Sequence, residues 1–145
     1  MKSAGDMWSG IEGERAGNPV LARVRQIRAP EKLRKAFPVL FAIEWAYRIQ
    51  NRSGLPSAAL YRRLEAFEEK VIDAIEREGE GVLVLVETSA GTVRYLLYVA
   101  AAETIAGRIN AEVSARTRLT LSERRDARWS EYRAISKALL ENDPA

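Results

Sequence analysis

The spacing of hydrophobic positions changes period several times along the chain, and each change marks an element. From Val39 to Tyr47 one parity holds Val39, Phe41, Ile43, Trp45 and Tyr47, while the other holds Leu40, Ala42, Glu44 and Ala46. This alternation predicts a strand with one strongly apolar face. Asn51-Arg52-Ser53-Gly54 interrupts it, and Leu55-Pro56-Ser57 opens a helix with Ser57 as candidate N-cap. At about 100° per residue, Leu60, Leu64, Phe67, Val71, Ile72 and Ile75 share one side. A long amphipathic helix ending near Gly79 is therefore predicted.

Val82 to Thr88 and Thr92 to Ala100 read as two strands about Ala90-Gly91. With that dipeptide as the loop, Glu87 lies opposite Arg94, Leu85 opposite Leu96 and Val84 opposite Leu97, so one register matches charge with charge and apolar with apolar. Ile105, Ile109 and Val113 predict a second helix from Glu103 to about Ala115, and Leu119 and Leu121 a short last strand. Asp126 to Leu140, with Trp129, Tyr132, Ile135 and Leu139-Leu140, reads as a C-terminal helix. Ahead of Val39, Trp8 to Ile27 reads as a β-hairpin turning at Gly17-Asn18-Pro19, and Ala29 to Lys35 as one or two helical turns.

The order from Val39 to Leu121 is βαββαβ. It predicts an α+β, ferredoxin-like antiparallel sheet with both helices on one face, extended by an N-terminal β-hairpin and a C-terminal helix. One domain is expected over residues 1–145, with its core at about 38–123, the N-terminal extension at 1–35 and the C-terminal helix at 126–140. The second sheet face is also partly apolar, through Leu40, Ala42, Leu83, Leu85, Leu96 and Tyr98. It needs a cover, supplied by the terminal segments, by a second copy of the chain in a homodimer, or by a partner.

Composition narrows the chemistry. The 145 residues are 47% apolar and 30% charged, the profile of one soluble globular domain. There is no cysteine and no histidine, which removes disulfides, thiolate nucleophiles, Cys/His zinc sites and histidine-based triads. The formal charge is +3, and residues 1–35 hold 8 Lys/Arg against 4 Asp/Glu. That excess is too small for a nucleic-acid stripe. An RNA contact would nonetheless use Arg23, Arg25, Arg28, Lys32, Arg34 and Lys35. The longest apolar runs, such as Val82 to Val86, are strand-sized, and Met1 to Asp6 lead into no signal-peptide pattern, so a cytoplasmic location without membrane contact is expected.

Three groups of residues are candidates for function. Glu68 falls inside the apolar arc of the long helix, where a desolvated carboxylate acts as an acid or base, or else is held by backbone amides, Tyr61 or an arginine. Glu87 and Arg94 share one sheet face, which Glu44 joins if its strand pairs in the right phase, as a polar ligand cluster or as an ordinary cross-strand ion pair. Asp126, Trp129 and Tyr132 lie on one side of the last helix. With Tyr98 and Leu96 they form an interaction surface, or the aromatics pack as a lid with Asp126 as N-cap. Tyr95 and Tyr98 fall on opposite faces, unlike the stacking pair of an RNA-binding sheet. Glu76, Glu78 and Glu80 read as a solvated helix end. No catalytic residue, cofactor site or metal site is assigned.

An ordered set of motifs carries a resemblance. Gly17-Asn18-Pro19, Pro38 to Tyr47 with Ile43, Trp45 and Tyr47, Gly54-Leu55-Pro56, Phe67-Glu68, Thr88 to Gly91, Tyr98-Val99 and Asp126 to Tyr132 are similar to the pattern of a bacterial family, domain of unknown function 695. The chain departs from it at Arg124-Arg125-Asp126-Ala127-Arg128, where the family tends to show an acidic D-P-x-W segment. The family's core plan resembles that of the protein regulator B of ribonuclease E, which implies by fold analogy a protein-binding or RNA-decay role. The functional expectation is a non-catalytic protein-interaction or regulatory module. An RNA-linked regulator is the alternative, and a carboxylate-dependent enzyme using Glu68 or Glu44 the third reading.

Overall fold

A computed structural model describes residues 7–28 and 30–140, apart from the side chains of Leu139 and Leu140. Expectations that fall on Met1 to Asp6, Ala29, those two side chains and residues 141–145 lie outside the described residues. Six strands, β1 (Met7–Arg15), β2 (Asn18–Gln26), β3 (Val39–Ala46), β4 (Gly81–Ser89), β5 (Thr92–Val99) and β6 (Arg118–Arg125), form one antiparallel sheet. Their order is β1-β2-β4-β5-β3-β6. The helices are α1 (Pro30–Arg34), α2 (Ala58–Phe67), α3 (Asp73–Arg77), α4 (Ala102–Glu112) and α5 (Ser130–Leu140), and a π-helical turn at Glu68–Ile72 joins α2 to α3. The class is α+β, and the βαββαβ order holds from β3 to β6. The N-terminal hairpin continues this sheet, because β2 pairs with β4.

Both tight hairpins turn on dipeptides with positive φ at each residue, Ala16 (52°) with Gly17 (83°) and Ala90 (43°) with Gly91 (93°). Two-residue loops matching the right-handed strand twist require this geometry, and glycine supplies it without steric cost. The first turn therefore lies one residue earlier than expected, and Asn18 and Pro19 already belong to β2. In the β4–β5 pair, Glu87 faces Arg94 and Leu85 faces Leu96, as expected. A bulge between Leu83 and Leu85 then shifts the register, so Leu97 faces Leu83 and not Val84. One extra residue in a strand exchanges the faces of everything beyond it. Leu83 consequently joins the core on the other side from Val84 and Leu85.

The first core lies between the sheet and the helices α2, α3 and α4, with Ile43, Ile75, Leu97 and Ile105 fully buried. At its centre the Phe67 ring meets Trp45 edge-on at 5.4 Å and Tyr95 at 5.5 Å. The second core covers the opposite face, which the chain's own terminal segments close. Trp129 stacks on Tyr98 at 4.3 Å and meets Tyr132 edge-on at 5.8 Å, and Leu33 of α1 and Ile135 of α5 pack alongside. Helices therefore flank both faces, and this covered face no longer gives a reason to expect a homodimer.

Two boundaries differ from the sequence reading. β6 runs to Arg125 because all eight of its residues pair with β3. Leu119 and Leu121 are half-buried and the other positions are exposed, since an edge strand can be held by its backbone alone. The last helix begins at Ser130 and not at Asp126. Trp129, just ahead of it, has φ +55°, a left-handed conformation that costs a non-glycine residue about 1–3 kcal/mol. Complete burial of its indole and a 2.8 Å hydrogen bond from Nε1–H to the Phe37 carbonyl hold it there.

Candidate functional site

The helix-side residues of β2 face the flank of the α2–α3 helix, and this seam holds the expected Glu68. Arg23 donates to Glu68 Oε1 at 2.8 Å, and the Tyr95 hydroxyl donates to Oε2 at 3.1 Å. Burial, and next the charge of Glu68, push the Tyr95 phenol above its ordinary value, so it serves as a neutral donor. Of the partners the sequence left open, the arginine is present, and Tyr95 replaces Tyr61, which is exposed. Two turns further on, Arg25 makes a two-pronged pair with Glu76 at 2.9 and 3.1 Å, with both side chains at 5% exposure or less. Glu76 also accepts the Leu83 N–H at 2.9 Å. The Trp8 ring lies 4.8 Å from the Arg25 guanidinium and 5.6 Å from that of Arg23.

These pairs correct two readings. Glu76 is buried structural acid and not part of a solvated helix end, because β2 carries Arg25 against it. Glu80 is likewise paired, to Arg108, whose hydrogen bond holds its carboxyl below the usual value. Arg23 and Arg25 are engaged inside the fold, so the N-terminal basic set does not present them together with Arg28, Lys32, Arg34 and Lys35. Beside the seam is a groove of about 340 Å³ floored by Leu21, Leu64, Val86 and Val93.

The expected interaction surface on the last helix is not a surface. Trp129, Tyr132, Asp126, Tyr98 and Leu96 all lie within the second core, at 7% exposure or less. Asp126 caps α5 from outside, with Oδ1 accepting from Ser130 N–H at 2.8 Å and Oδ2 from Glu131 N–H at 3.0 Å. The Tyr98 hydroxyl donates to Oδ2 at 2.7 Å and accepts from Tyr132 N–H at 3.1 Å. Burial alone would raise the Asp126 pKa, but the Glu131, Tyr98 and Ser130 donors outweigh it and hold the carboxyl below its ordinary value. Tyr132 in turn donates to the Arg25 carbonyl at 2.6 Å, tying α5 to β2.

Glu44, Arg94 and Glu87 form one cross-strand row, as expected, with Arg94 between the two acids. The ion pair is a different one: Arg15 makes a two-pronged contact with Glu87 at 3.2 and 3.3 Å. The N-terminal hairpin brings Arg15 over Glu87, and nothing in the local pattern of either strand announces that approach. Among the described residues no group of three or more acidic side chains is placed to hold a metal ion.

Between the end of β3, the start of α2 and the start of β6 is a concavity of about 350 Å³ lined by Arg48, Arg63, Arg116 and Arg118, with no acidic residue in its lining. All four are exposed, and among the described residues none forms an ion pair. The Arg63 guanidinium lies 5.7 Å from the Trp45 ring. Ser57 caps the first turn of α2 at the rim, its hydroxyl accepting from Leu60 N–H at 3.2 Å. These arginines come from three separate stretches of chain, and the signal available beforehand was the pair Arg116-x-Arg118.

A family model described as Family of unknown function (DUF695) matches residues 6–135. The chain belongs to that family. The match takes in the DUF695 sheet, the seam and the Asp126 cap together, so these are parts of one family unit. No curated protein and no solved structure matches the chain.

Proposed function

We propose that this DUF695 chain is a non-catalytic regulatory module that acts by binding an anionic group on a partner. One observation carries the reading. Of the acids singled out for chemistry, Glu68 is held by Arg23 and Tyr95 and Glu87 by Arg15, and Glu44 stands opposite Arg94 in the cross-strand row, whereas four arginines share one open concavity without an acid. Unmatched like charges around a hollow attract an ion of opposite sign. The strand order β4-β5-β3-β6, with its two helical crossovers, supports a ferredoxin-like assignment for the core. An RNA-linked role is the second reading, since RNA phosphates would meet the same four arginines.

Retention on a heparin column tests the reading. A variant with Arg48, Arg63, Arg116 and Arg118 all changed to Ala is compared with one of equal net charge, in which Arg28, Arg34, Arg128 and Arg133 are changed instead. Loss of retention confined to the first variant is the expected result. Equal losses in both would mean that net charge alone is responsible and would overturn the reading.

A further inference from the structure

Four guanidinium groups from different parts of the fold surround one hollow. Arg48 follows β3, Arg63 stands on α2, and Arg116 and Arg118 lie at the start of β6. Five arginines elsewhere each meet a carboxylate from a distant or neighbouring element: Arg15 meets Glu87, Arg23 meets Glu68, Arg25 meets Glu76, Arg108 meets Glu80 and Arg124 meets Glu131. At this hollow none does among the described residues, and the mutual repulsion of four cations is left to solvent. The cationic residues of the lining are all arginine and none is lysine. Arginine presents a planar fork of donors that engages two oxygens of one oxyanion at once, which a point-charge ammonium cannot do.

The surroundings limit the size of the anion. Past Trp45 and Arg63 the adjoining hollow, of about 230 Å³, contains Glu112 beside Lys70, so the lining without an acid stops there. A nucleic-acid strand needs a basic track several nucleotides long, and this patch is confined to one open hollow. Trp45 offers no stacking face either, being 5% exposed with Phe67 against its ring.

Resting on the reading proposed above, we infer that the concavity between β3, α2 and β6 binds a phosphoryl group of a small phosphorylated molecule, held by Arg48, Arg63, Arg116 and Arg118. The group enters as a preformed dianion or polyanion and its charge is met by guanidinium donors. No bond is made or broken.

The test uses the full chain with inorganic pyrophosphate as probe, followed by calorimetric titration and by thermal unfolding. Sulfate and chloride at matched ionic strength, and a single-stranded RNA oligonucleotide, run in parallel. The expected result is saturable pyrophosphate binding that raises the unfolding temperature beyond the matched salts. Arg63→Ala and Arg118→Ala should each weaken it by about tenfold or more, the scale of a charged hydrogen bond. Arg63→Lys should recover part of the affinity, and Arg133→Ala should leave it unchanged. A response equal to that of chloride, or RNA binding that displaces pyrophosphate and is the tighter of the two, overturns the inference. If pyrophosphate fails while heparin retention still depends on the four arginines, this inference falls and the broader anionic reading stands. If retention fails as well, both fall.

Discussion

Along the seam between β2 and the long helix each arginine meets a carboxylate, whereas the four arginines of the concavity beside Ser57 meet none. The two regions use the same cation under different solvation. On the seam Arg25 and Glu76 have left water almost entirely, so each requires the other and the pair orders β2 against the helix. In the concavity the guanidinium groups stay hydrated, and leaving them unmatched costs the fold little. Buried charge here is structural, and exposed unmatched charge is what remains available to a partner.

The comparison breaks most visibly at Glu76. Changing Glu76→Gln weakens the partner of a buried guanidinium and should destabilise the protein by about 3–5 kcal/mol, measured by urea unfolding. Replacing both members, Arg25→Met with Glu76→Leu, should recover most of that loss; a double variant as unstable as the single one would show that the pair is not the unit.

A second test uses acid. Asp126 has its pKa lowered in the fold, so its stabilising contribution is complete above the ordinary aspartate value of 3.8 and is lost as the pH falls below that toward the lowered value. Asp126→Asn should cost about 1–3 kcal/mol at neutral pH and flatten the acid limb of the stability profile. The variant lacking all four concavity arginines should keep the wild-type acid limb. An Asp126→Asn profile parallel to the wild type would contradict the assignment.

The smallest effects sharpen the contrast. Arg23→Ala removes a half-exposed pair and should cost about 0.2–1 kcal/mol. Arg63→Ala and Arg118→Ala should each change stability by less than about 0.5 kcal/mol, and the loss should appear in anion binding instead. A destabilisation by Arg118→Ala above about 1 kcal/mol, the upper end for an exposed pair, would mean that the concavity, too, is structural.

Much of the fold was legible in the sequence where two signals coincided. The β4–β5 hairpin combined a turn dipeptide with a register that matched Glu87 to Arg94, and β3 showed five large side chains on one parity. β6 extends past the short strand that Leu119 and Leu121 predict, because its polar half pairs through backbone and leaves no side-chain pattern. Tyr132 lies on α5 and Trp129 just ahead of it, and both enter the same core, but spacing alone does not say whether that side faces water. Its cover depended on Phe37 and Tyr98, which are far away in the chain. Glu76 and Arg25 are likewise 51 residues apart. The arginine concavity gathers residues from three stretches, so it existed for a reader only once the strands were ordered.

The π turn at Glu68–Ile72 has a consequence for the number of residues in the helix. Eight positions separate Glu68 from Glu76, and a regular α-helix would turn by roughly 800° over them, leaving the two acids about 80° apart. A π turn takes up one residue more than the α-helical ladder requires. The rotation that counts is then that of seven residues, roughly 700°, and the carboxylates come to within about 20° of each other. That extra residue acts as a phase correction, aligning both acids with the two arginines of a single strand. Straightening this turn into a regular α-helix with every residue kept would rotate α3 by about 100° and carry Glu76 away from Arg25, with the identity of both side chains unchanged.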